Sequence, residues 1–288
     1  MTAAPYYPVG LRWVGRLRRA RVRPLGPVDA LGFALGFGWQ VVSSVPYTLL
    51  RYRRQTVTMV TDMTWGRGSV IIGGGVVPLM LLLGAAMGAS IGIEAFSALN
   101  LLSLGQLSGL ISAFGVTREL APIAAGIGFA AQAGCRMTAE IGSMRISEEI
   151  DALESLGIRS VPFVVTTRVI AGIIAVAPAF VVALILSYAS CALIVTTIHG
   201  TPSGTYDHYF DQFVVGWDVF AATVKVMVFA VAVVLIHCYQ GYFATGGPEG
   251  VGIGSGRAIR ASLVSIIALD MVATIVLWGF RSPVTFTG

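Results

Sequence analysis

The chain has 288 residues, of which 56% are hydrophobic and only 11% are charged, with a formal net charge of +5 and a mean hydropathy of +0.81. This composition excludes an ordinary soluble domain. A bilayer-spanning helix needs about 20 mostly apolar residues, and several uncharged runs reach that length. The sequence therefore predicts an all-α integral membrane protein.

Basic residues divide the chain between the two sides of a membrane. One group ends at Arg67, a second runs from residue 136 to 168, and a third comprises Arg257 and Arg260. Cytoplasmic loops carry the excess of Lys and Arg, so all three groups are expected in the cytoplasm. Residues 196–223 contain three aspartates and no Lys or Arg, which predicts an extracytoplasmic position for them.

The uncharged segments between these groups predict a domain of five transmembrane helices in residues 61–288. The chain must cross an even number of times between the first two basic groups, because both lie on the same side, and two crossings fit best. Part of 95–113 is then expected at the outer face or re-entering the membrane. The N-terminus is expected in the cytoplasm and the C-terminus outside. The predicted spans are approximately residues 70–93, 114–135, 169–198, 219–243 and 261–280.

Residues 1–60 are predicted to form a basic cytoplasmic tail and an interfacial elbow helix. The apolar run 30–50 is interrupted by Ser-Ser-Val-Pro at 43–46. It could lie in the inner interface or form a sixth span, and its arginine flanks favour the interface. The six arginines of residues 12–23 suit membrane orientation and contact with anionic lipid rather than nucleic acid.

Residues that could carry catalysis are sparse. A phosphate-binding loop needs G-x-x-x-x-G-K-[ST], and the only lysine, Lys225, lies in Thr-Val-Lys-Val. The three cysteines lack the paired spacing of metal ligands, and the three histidines are scattered. Ordinary loop residues are favoured over a metal site at His199 and His208. Alternating glycines at 250–256 predict a tight cytoplasmic turn. Gly84, Gly88 and Gly92 form a face for close packing against another helix. The chain is therefore expected to be no enzyme and to bind no cofactor of its own.

An adjacent charged pair, Arg118 and Glu119, lies inside the second predicted span. Neighbouring side chains on a helix diverge, so the two are expected to meet different partners. Pro122 cannot donate a backbone hydrogen bond and could open space beside them. A charge inside the bilayer normally faces protein or a water-filled cavity. Two readings stay open: the headgroup site of an amphipathic ligand, or a structural ion pair that joins helices.

Two further polar sets lie in the spans. Lys225 and Asp270 occupy similar depths in successive spans and are predicted to pair. A structural lock is favoured over a proton relay, because pairing avoids an uncompensated buried charge. Gln132, Arg136 and Glu140 recur at every fourth residue and share one helix face. They could form a polar seam between helices, but a snorkelling cytoplasmic end is favoured.

Residues 146–157 predict a short amphipathic helix on the cytoplasmic side. Ser147 is expected to cap this helix, and Gly157 to end it. Its acidic residues disfavour an anionic membrane surface, since surface helices are normally basic. Docking to a cytoplasmic protein is therefore favoured over lying on the membrane. The predicted docking residues are Arg145, Ser147, Glu148, Glu149, Ile150, Asp151, Leu153, Glu154 and Leu156.

Three motifs carry a family resemblance. Residues 118–122 read R-E-L-A-P, residues 138–145 read T-A-E-I-G-S-M-R, and residues 148–153 read E-E-I-D-A-L. In order and spacing they resemble the MlaE/YrbE permeases, the membrane subunits of lipid-transporting ABC systems. The likeness covers approximately residues 70–280, and these central motifs are its most specific part.

One departure from the family pattern refines this resemblance. Residues 130–134 read A-A-Q-A-G where the family commonly has A-G-R-x-G. Arg136, one turn later on the same face, is the candidate replacement for the missing arginine. Together with the arginine-rich extension, this departure makes the chain most similar to an actinobacterial Mce-associated YrbE subunit, one of two non-identical permeases.

The resemblance implies an MlaE-like fold in the plasma (inner) membrane and several partners. These are a second YrbE-type permease in a heterodimer, a cytoplasmic ABC ATPase dimer that binds ATP and Mg²⁺, extracytoplasmic Mce proteins, and a lipid such as a fatty acid or sterol, with import as the direction. Helix 146–157 would couple to the ATPase. The residues expected near the lipid cavity between the permeases are Arg118, Glu119, Leu120 and Pro122.

Two other classes of function stay open from the sequence. A secondary transporter could use an ion gradient through Glu119, Lys225 or Asp270, although the five spans show no equal repeats. A non-transporting scaffold of an envelope complex would tolerate neutralisation of Glu119, yet would lose assembly when the acidic helix is altered.

Overall fold

The computed structural model describes residues 26–66 and 74–279. Within these ranges the chain is helical, apart from turns and one isolated bridge between Gly66 and Gly74. The predicted all-α membrane fold is confirmed. The basic tail and the start of the predicted span 70–93 lie outside the described residues. In chain order the helices are α1 (Gly26–Ser43), α2 (Val45–Arg51), α3 (Arg53–Trp65), α4 (Val76–Asn100), α5 (Gly105–Ile146), α6 (Glu149–Ser155), α7 (Val161–Thr197), α8 (Ser203–Phe213), α9 (Gly216–Tyr242) and α10 (Gly247–Trp278).

Five of these helices, α4, α5, α7, α9 and α10, are long and apolar enough to cross a membrane. The predicted number of spans is confirmed, but several boundaries differ: α4 ends at Asn100, α5 is longer at both ends, and α7 and α10 begin earlier than predicted. Helix α5 continues to Ile146, and α10 begins so early that residues 250–256 are helical. The predicted glycine turn is therefore wrong. The chain turns before residue 250, because Gly246 and Gly247 adopt φ values of 93° and 69° and Pro248 lies in the first turn of α10.

One end of the bundle contains a helix that the sequence did not predict. Helix α8 lies inside the expected outer segment 196–223, where Gly200, Pro202 and Gly204 are typical of a loop. It packs against the start of α5, so closely that a Cβ on Gly109 would lie 3.0 Å from the Phe210 backbone nitrogen. The segment 95–113 is accordingly the end of α4, a turn and the start of α5.

The N-terminal helices pack on the side of the bundle. The predicted interruption is present, since α1 ends at Ser43 and α2 begins at Val45. Phe33 and Phe37 of α1 contact Phe243, with ring centroids 5.1 and 5.7 Å apart. Aromatic packing therefore holds α1 against the end of α9. The position of α1 relative to the bilayer stays a prediction.

The glycine face of α4 lets two spans approach closely. A Cβ at Gly84 or Gly88 would collide with α7, at the backbone carbonyls of Ala183 and Ser187, and Gly92 continues the same contact. In a membrane the hydrophobic effect does not drive helices together, because lipid is as apolar as their side chains. Small residues let two backbones approach closely, and the van der Waals contacts between them stabilise the pair. The expected close-packing face is confirmed, and its partner belongs to the same chain.

Gly88→Leu is expected to lower the free energy of unfolding by about 1–3 kcal/mol or more, because the Ser187 carbonyl belongs to the backbone and cannot rotate away. The measurement is the melting temperature of the full-length protein in mild detergent, followed by size-exclusion chromatography. Ala86→Leu is the matched control, since residue 86 is exposed on the same helix. Equal melting temperatures for the two variants would contradict this packing.

Candidate functional site

The Arg118–Glu119 pair lies on a widened stretch of α5. Residues Ser112–Leu120 are π-helical, and the α-helical segment that follows has Pro122 in its first turn. Because proline has no N–H, the Arg118 carbonyl loses its usual α-helical donor. The ammonium of Lys225 on α9 donates to this carbonyl at 2.9 Å. Pro122 thus leaves the Arg118 carbonyl open as an acceptor for Lys225, the only lysine in the chain. π-Helical segments of this kind are frequent at functional sites.

Lys225 is the centre of an ion network that joins three spans. Its Nζ lies 2.7 Å from Asp270 Oδ1 on α10 and 3.3 Å from Glu119 Oε2 on α5. It also donates to Thr274 Oγ1 at 2.7 Å, and that hydroxyl donates to Glu119 Oε1 at 2.8 Å. The predicted Lys225–Asp270 pair is present. Sequence reasoning missed Glu119 and Thr274 as members, although Thr274 follows Asp270 by one helical turn and faces the same way.

The members of the network differ in exposure. The side chain of Lys225 is fully buried and that of Asp270 is 9% exposed, whereas the Glu119 side chain is 40% exposed. Two carboxylates and one ammonium carry a net negative charge when all three are ionised. Glu119 is therefore the member of the network that can meet a ligand or a second subunit.

Arg118 points away from this network, as the divergence of neighbouring side chains predicts. Its Nε and Nη2 donate to Asp218 Oδ2 at 2.8 and 2.7 Å, and Trp278 Nε1 donates to the other carboxylate oxygen at 2.8 Å. Its guanidinium also lies 4.1 Å from the centre of the Phe114 ring. Arg118 is buried and its charge is balanced within the chain, so it fastens α5 to α9 and α10 rather than lining a surface.

An exposed apolar track lies beside Glu119. Leu120 is 38% exposed and Ile127 is 39% exposed, and their spacing of seven residues places both on one side of α5. Pro122 is buried. The structure therefore divides the residues expected near a cavity: Glu119 and Leu120 are accessible, whereas Arg118 and Pro122 are enclosed by the chain itself.

The polar residues near the other end of α5 connect several elements. Gln132 Nε2 donates to the Gly74 carbonyl at 2.5 Å, and Arg136 Nε donates to Glu140 Oε1 at 2.7 Å. The second Glu140 oxygen accepts from Arg168 Nη2 on α7 at 3.3 Å. This geometry matches the polar seam between helices rather than a snorkelling end.

The acidic helix differs from the prediction at its start. Helix α5 continues to Ile146, and the Ser147 hydroxyl lies within hydrogen-bond distance of two acceptors, the Ser143 carbonyl at 3.0 Å and Glu149 Oε1 at 2.9 Å. Glu148 adopts a φ of 59° and turns the chain, so α6 begins at Glu149. The prediction that Ser147 caps this helix is wrong, because Ser147 completes the preceding helix.

One face of α6 is fixed to the rest of the chain. Ile150 is buried in the core and Leu153 packs against that core, whereas Leu156 is 76% exposed. A 2.9 Å ion pair between Arg145 and Asp151 ties α6 to the end of α5. The residues predicted to dock divide into an anchored set, Arg145, Ile150, Asp151, Leu153 and Glu154, and an exposed set, Ser147, Glu148, Glu149 and Leu156.

Lys225→Met is expected to lower the free energy of unfolding by about 3–5 kcal/mol, because it leaves two carboxylates without their cation. Adding Asp270→Asn should restore only part of this loss, since Glu119 stays unpaired. The triple variant that also carries Glu119→Gln should restore most of it. The measurement is the melting temperature of each full-length variant in detergent. Complete rescue by the double variant would show that Glu119 does not belong to the network.

Comparison with known proteins finds similarity over most of the chain. The model of the family described as Permease MlaE matches residues 66–276, more than half of the chain. The chloroplastic protein TRIGALACTOSYLDIACYLGLYCEROL 1 of Arabidopsis thaliana is 30% identical over 67% of this chain and 55% of its own length. The probable ABC transporter permease protein slr1045 of Synechocystis is 32% identical over 56% of this chain and 60% of its own length.

A bacterial relative matches more of its own length. The intermembrane phospholipid transport system permease protein MlaE of Haemophilus influenzae is 27% identical over 70% of this chain and 77% of its own length. The region that the family model matches contains Arg118, Glu119, the acidic helix α6, Lys225 and Asp270, since all of these lie within residues 66–276. With its five apolar helices and this match, the chain belongs to the MlaE permease family.

Proposed function

We propose that this chain is a permease subunit of an ABC lipid transporter in the plasma (inner) membrane. Its family membership supports a permease, and the Haemophilus relative is named for a phospholipid transport system. In this proposal ATP and Mg²⁺ bind to a separate cytoplasmic ATPase dimer. This chain supplies the lipid path and no catalytic group.

The exposure of Glu119 carries the proposal. A charge within a membrane span is costly unless it meets water, protein or a polar ligand, and the Glu119 side chain is 40% exposed. Lys225 and Thr274 hold both of its oxygens from behind. A lipid presents a polar headgroup followed by apolar chains. Headgroup donors suit the Glu119 carboxylate, and acyl chains suit the adjacent track of Leu120 and Ile127.

Helix α5 links this surface to α6. From Glu119 to Ile146 it extends about 40 Å at the rise of an α-helix, with no intervening loop. The Arg145–Asp151 ion pair and the buried Ile150 hold α6 against the bundle. Movement of α6 by an ATPase is therefore transmitted along α5 to the lipid surface.

The proposed partners follow from the exposed surfaces and the family pattern. Leu156, Glu148 and Glu149 form the surface that docks into the ATPase. A second, non-identical permease closes the cavity opposite Glu119, in keeping with the A-A-Q-A-G departure at 130–134. Mce-type proteins sit at the α8 end, which is extracytoplasmic when the N-terminus is cytoplasmic, and the lipid is imported.

A transporter driven by an ion gradient is the second candidate, because two carboxylates share one lysine in the membrane-spanning bundle. In that case Glu119 or Asp270 would exchange a proton or cation during transport, and no ATPase would be needed. Transport by the purified complex that is insensitive to ATP would favour this candidate over the ABC permease.

Glu119→Gln is expected to reduce ATP-driven transport of a fluorescent phospholipid by about tenfold, because the headgroup loses a charge-assisted hydrogen bond. The assay uses the purified complex in proteoliposomes. Glu94→Gln is the matched control, since Glu94 is an exposed carboxylate on α4 outside the network. Unchanged transport by Glu119→Gln, with both variants assembled, would support a scaffold instead.

Leu156→Asp is expected to remove the ATPase from the affinity-purified complex, because it places a charge in the exposed apolar part of the docking surface. Glu149→Arg should have the same effect through charge reversal. The measurement is mass spectrometry of the proteins purified with each variant in mild detergent. Leu101→Asp, at an 87% exposed leucine between α4 and α5, is the control that should keep the ATPase. Wild-type protein arriving without any ATPase would argue against the ABC assignment.

A further inference from the structure

A second surface, at the end of the bundle that carries α6, has the composition of an amphiphile site. An open groove of about 480 Å³ lies between α3, α5 and α7, and its described lining includes Met59 and Asp62 of α3 and Arg168 of α7. A smaller cleft continues it, sharing Met59, Asp62 and Glu140 and adding Arg136. We call this continuous surface the inner groove.

The charges that the described lining residues bring to the inner groove are balanced. Arg136 and Arg168 are cationic, Asp62 and Glu140 are anionic, and Glu140 bridges the two arginines at 2.7 and 3.3 Å. A surface of this kind matches a ligand that carries one charge of each sign. An anionic ligand would meet the two carboxylates, and a cationic ligand would meet the two guanidinium groups.

Arg168 has unused capacity for hydrogen bonding at the wall of this groove. The residue is only 5% exposed, its Nη1 donates to the Val164 carbonyl at 2.7 Å, and its Nη2 donates to Glu140. Its Nε has no acceptor within residues 26–66 and 74–279. A buried charged donor without a partner is costly, so an oxygen ligand that reached this guanidinium from the groove would relieve that cost.

The apolar part of the inner groove is made of methionines. Met59, Met63, Met137 and Met144 line the groove and its cleft. Methionine side chains are unbranched and polarisable, so they adapt to flexible apolar ligands. Adaptable apolar walls beside charges of both signs are the complement of an acyl chain joined to a zwitterionic headgroup.

We propose that the inner groove binds a zwitterionic phospholipid from the adjacent leaflet. Its phosphate is held by Arg168 and Arg136, its amine by Glu140 and Asp62, and one acyl chain by the methionines. This assignment rests on the proposed lipid-permease function and adds a second lipid site to it. Because α5 carries both Glu119 and Glu140, the two sites lie on one continuous helix.

The test is native mass spectrometry of the full-length complex, purified in the Glu119→Gln background to weaken lipid binding at the Glu119 surface, and the variants of the inner groove assign the retained lipid. The complex is exchanged into nanodiscs with equal amounts of phosphatidylethanolamine and phosphatidylglycerol and then released in mild detergent. We expect preferential retention of phosphatidylethanolamine. Ala139→Trp, at an exposed lining residue, should abolish this retention, and Arg136→Gln should weaken binding about tenfold.

Ala131→Trp is the matched control, because Ala131 is also exposed on α5 but does not line either part of the groove. The proposal is overturned if phosphatidylglycerol is retained equally, if Ala139→Trp retains as much lipid as Ala131→Trp, or if inorganic phosphate displaces the bound species. Binding is measured without ATP or transport, so a failure of the proposed transport function leaves this readout interpretable.

Discussion

The buried ammonium of Lys225 is the constraint on which the arrangement of the spans depends. Its cost in a membrane is offset by three short contacts, to the Arg118 carbonyl, the Asp270 carboxylate and the Thr274 hydroxyl, and by the charge of Glu119 at 3.3 Å. These partners come from α5 and α10, whereas Lys225 belongs to α9. The contacts therefore fix the depth and rotation of three helices relative to one another.

The remaining contacts bring α5 against two helix pairs. The glycine face of α4 brings it against α7, while α9 packs against α10 and both contact α5. The ion pair between Arg118 and Asp218 strengthens the junction of α5 with α9. Helix α5 thus carries the accessible Glu119, the lining of the inner groove and the connection to α6 on one element. A permease that responds to a soluble partner needs such a mechanical link.

Much of this fold could be predicted from the sequence, because composition and charge distribution determine the number of spans. The Lys225–Asp270 pair could also be predicted, because an unpaired charge inside the membrane is costly and each residue has few possible partners. Local backbone geometry could not be predicted from the sequence. Glu148 has a φ of 59°, so the chain turns after Ser147, and Ser147 ends the preceding helix instead of beginning α6. Gly246 and Gly247 have positive φ values, so the turn lies before residues 250–256 and not within them. The difference in burial between Arg118 and Glu119 depends on Asp218, a partner 100 residues away.

The central claim is that Glu119 faces a lipid cavity while its own network holds it in place. The most direct measurement is a cryo-EM structure of the full-length complex in lipid nanodiscs. We expect lipid density with a headgroup at the Glu119 carboxylate and a chain along Leu120 and Ile127. A Glu119 carboxylate paired with a cation of another protein chain, with no lipid density beside it, would contradict the proposed cavity.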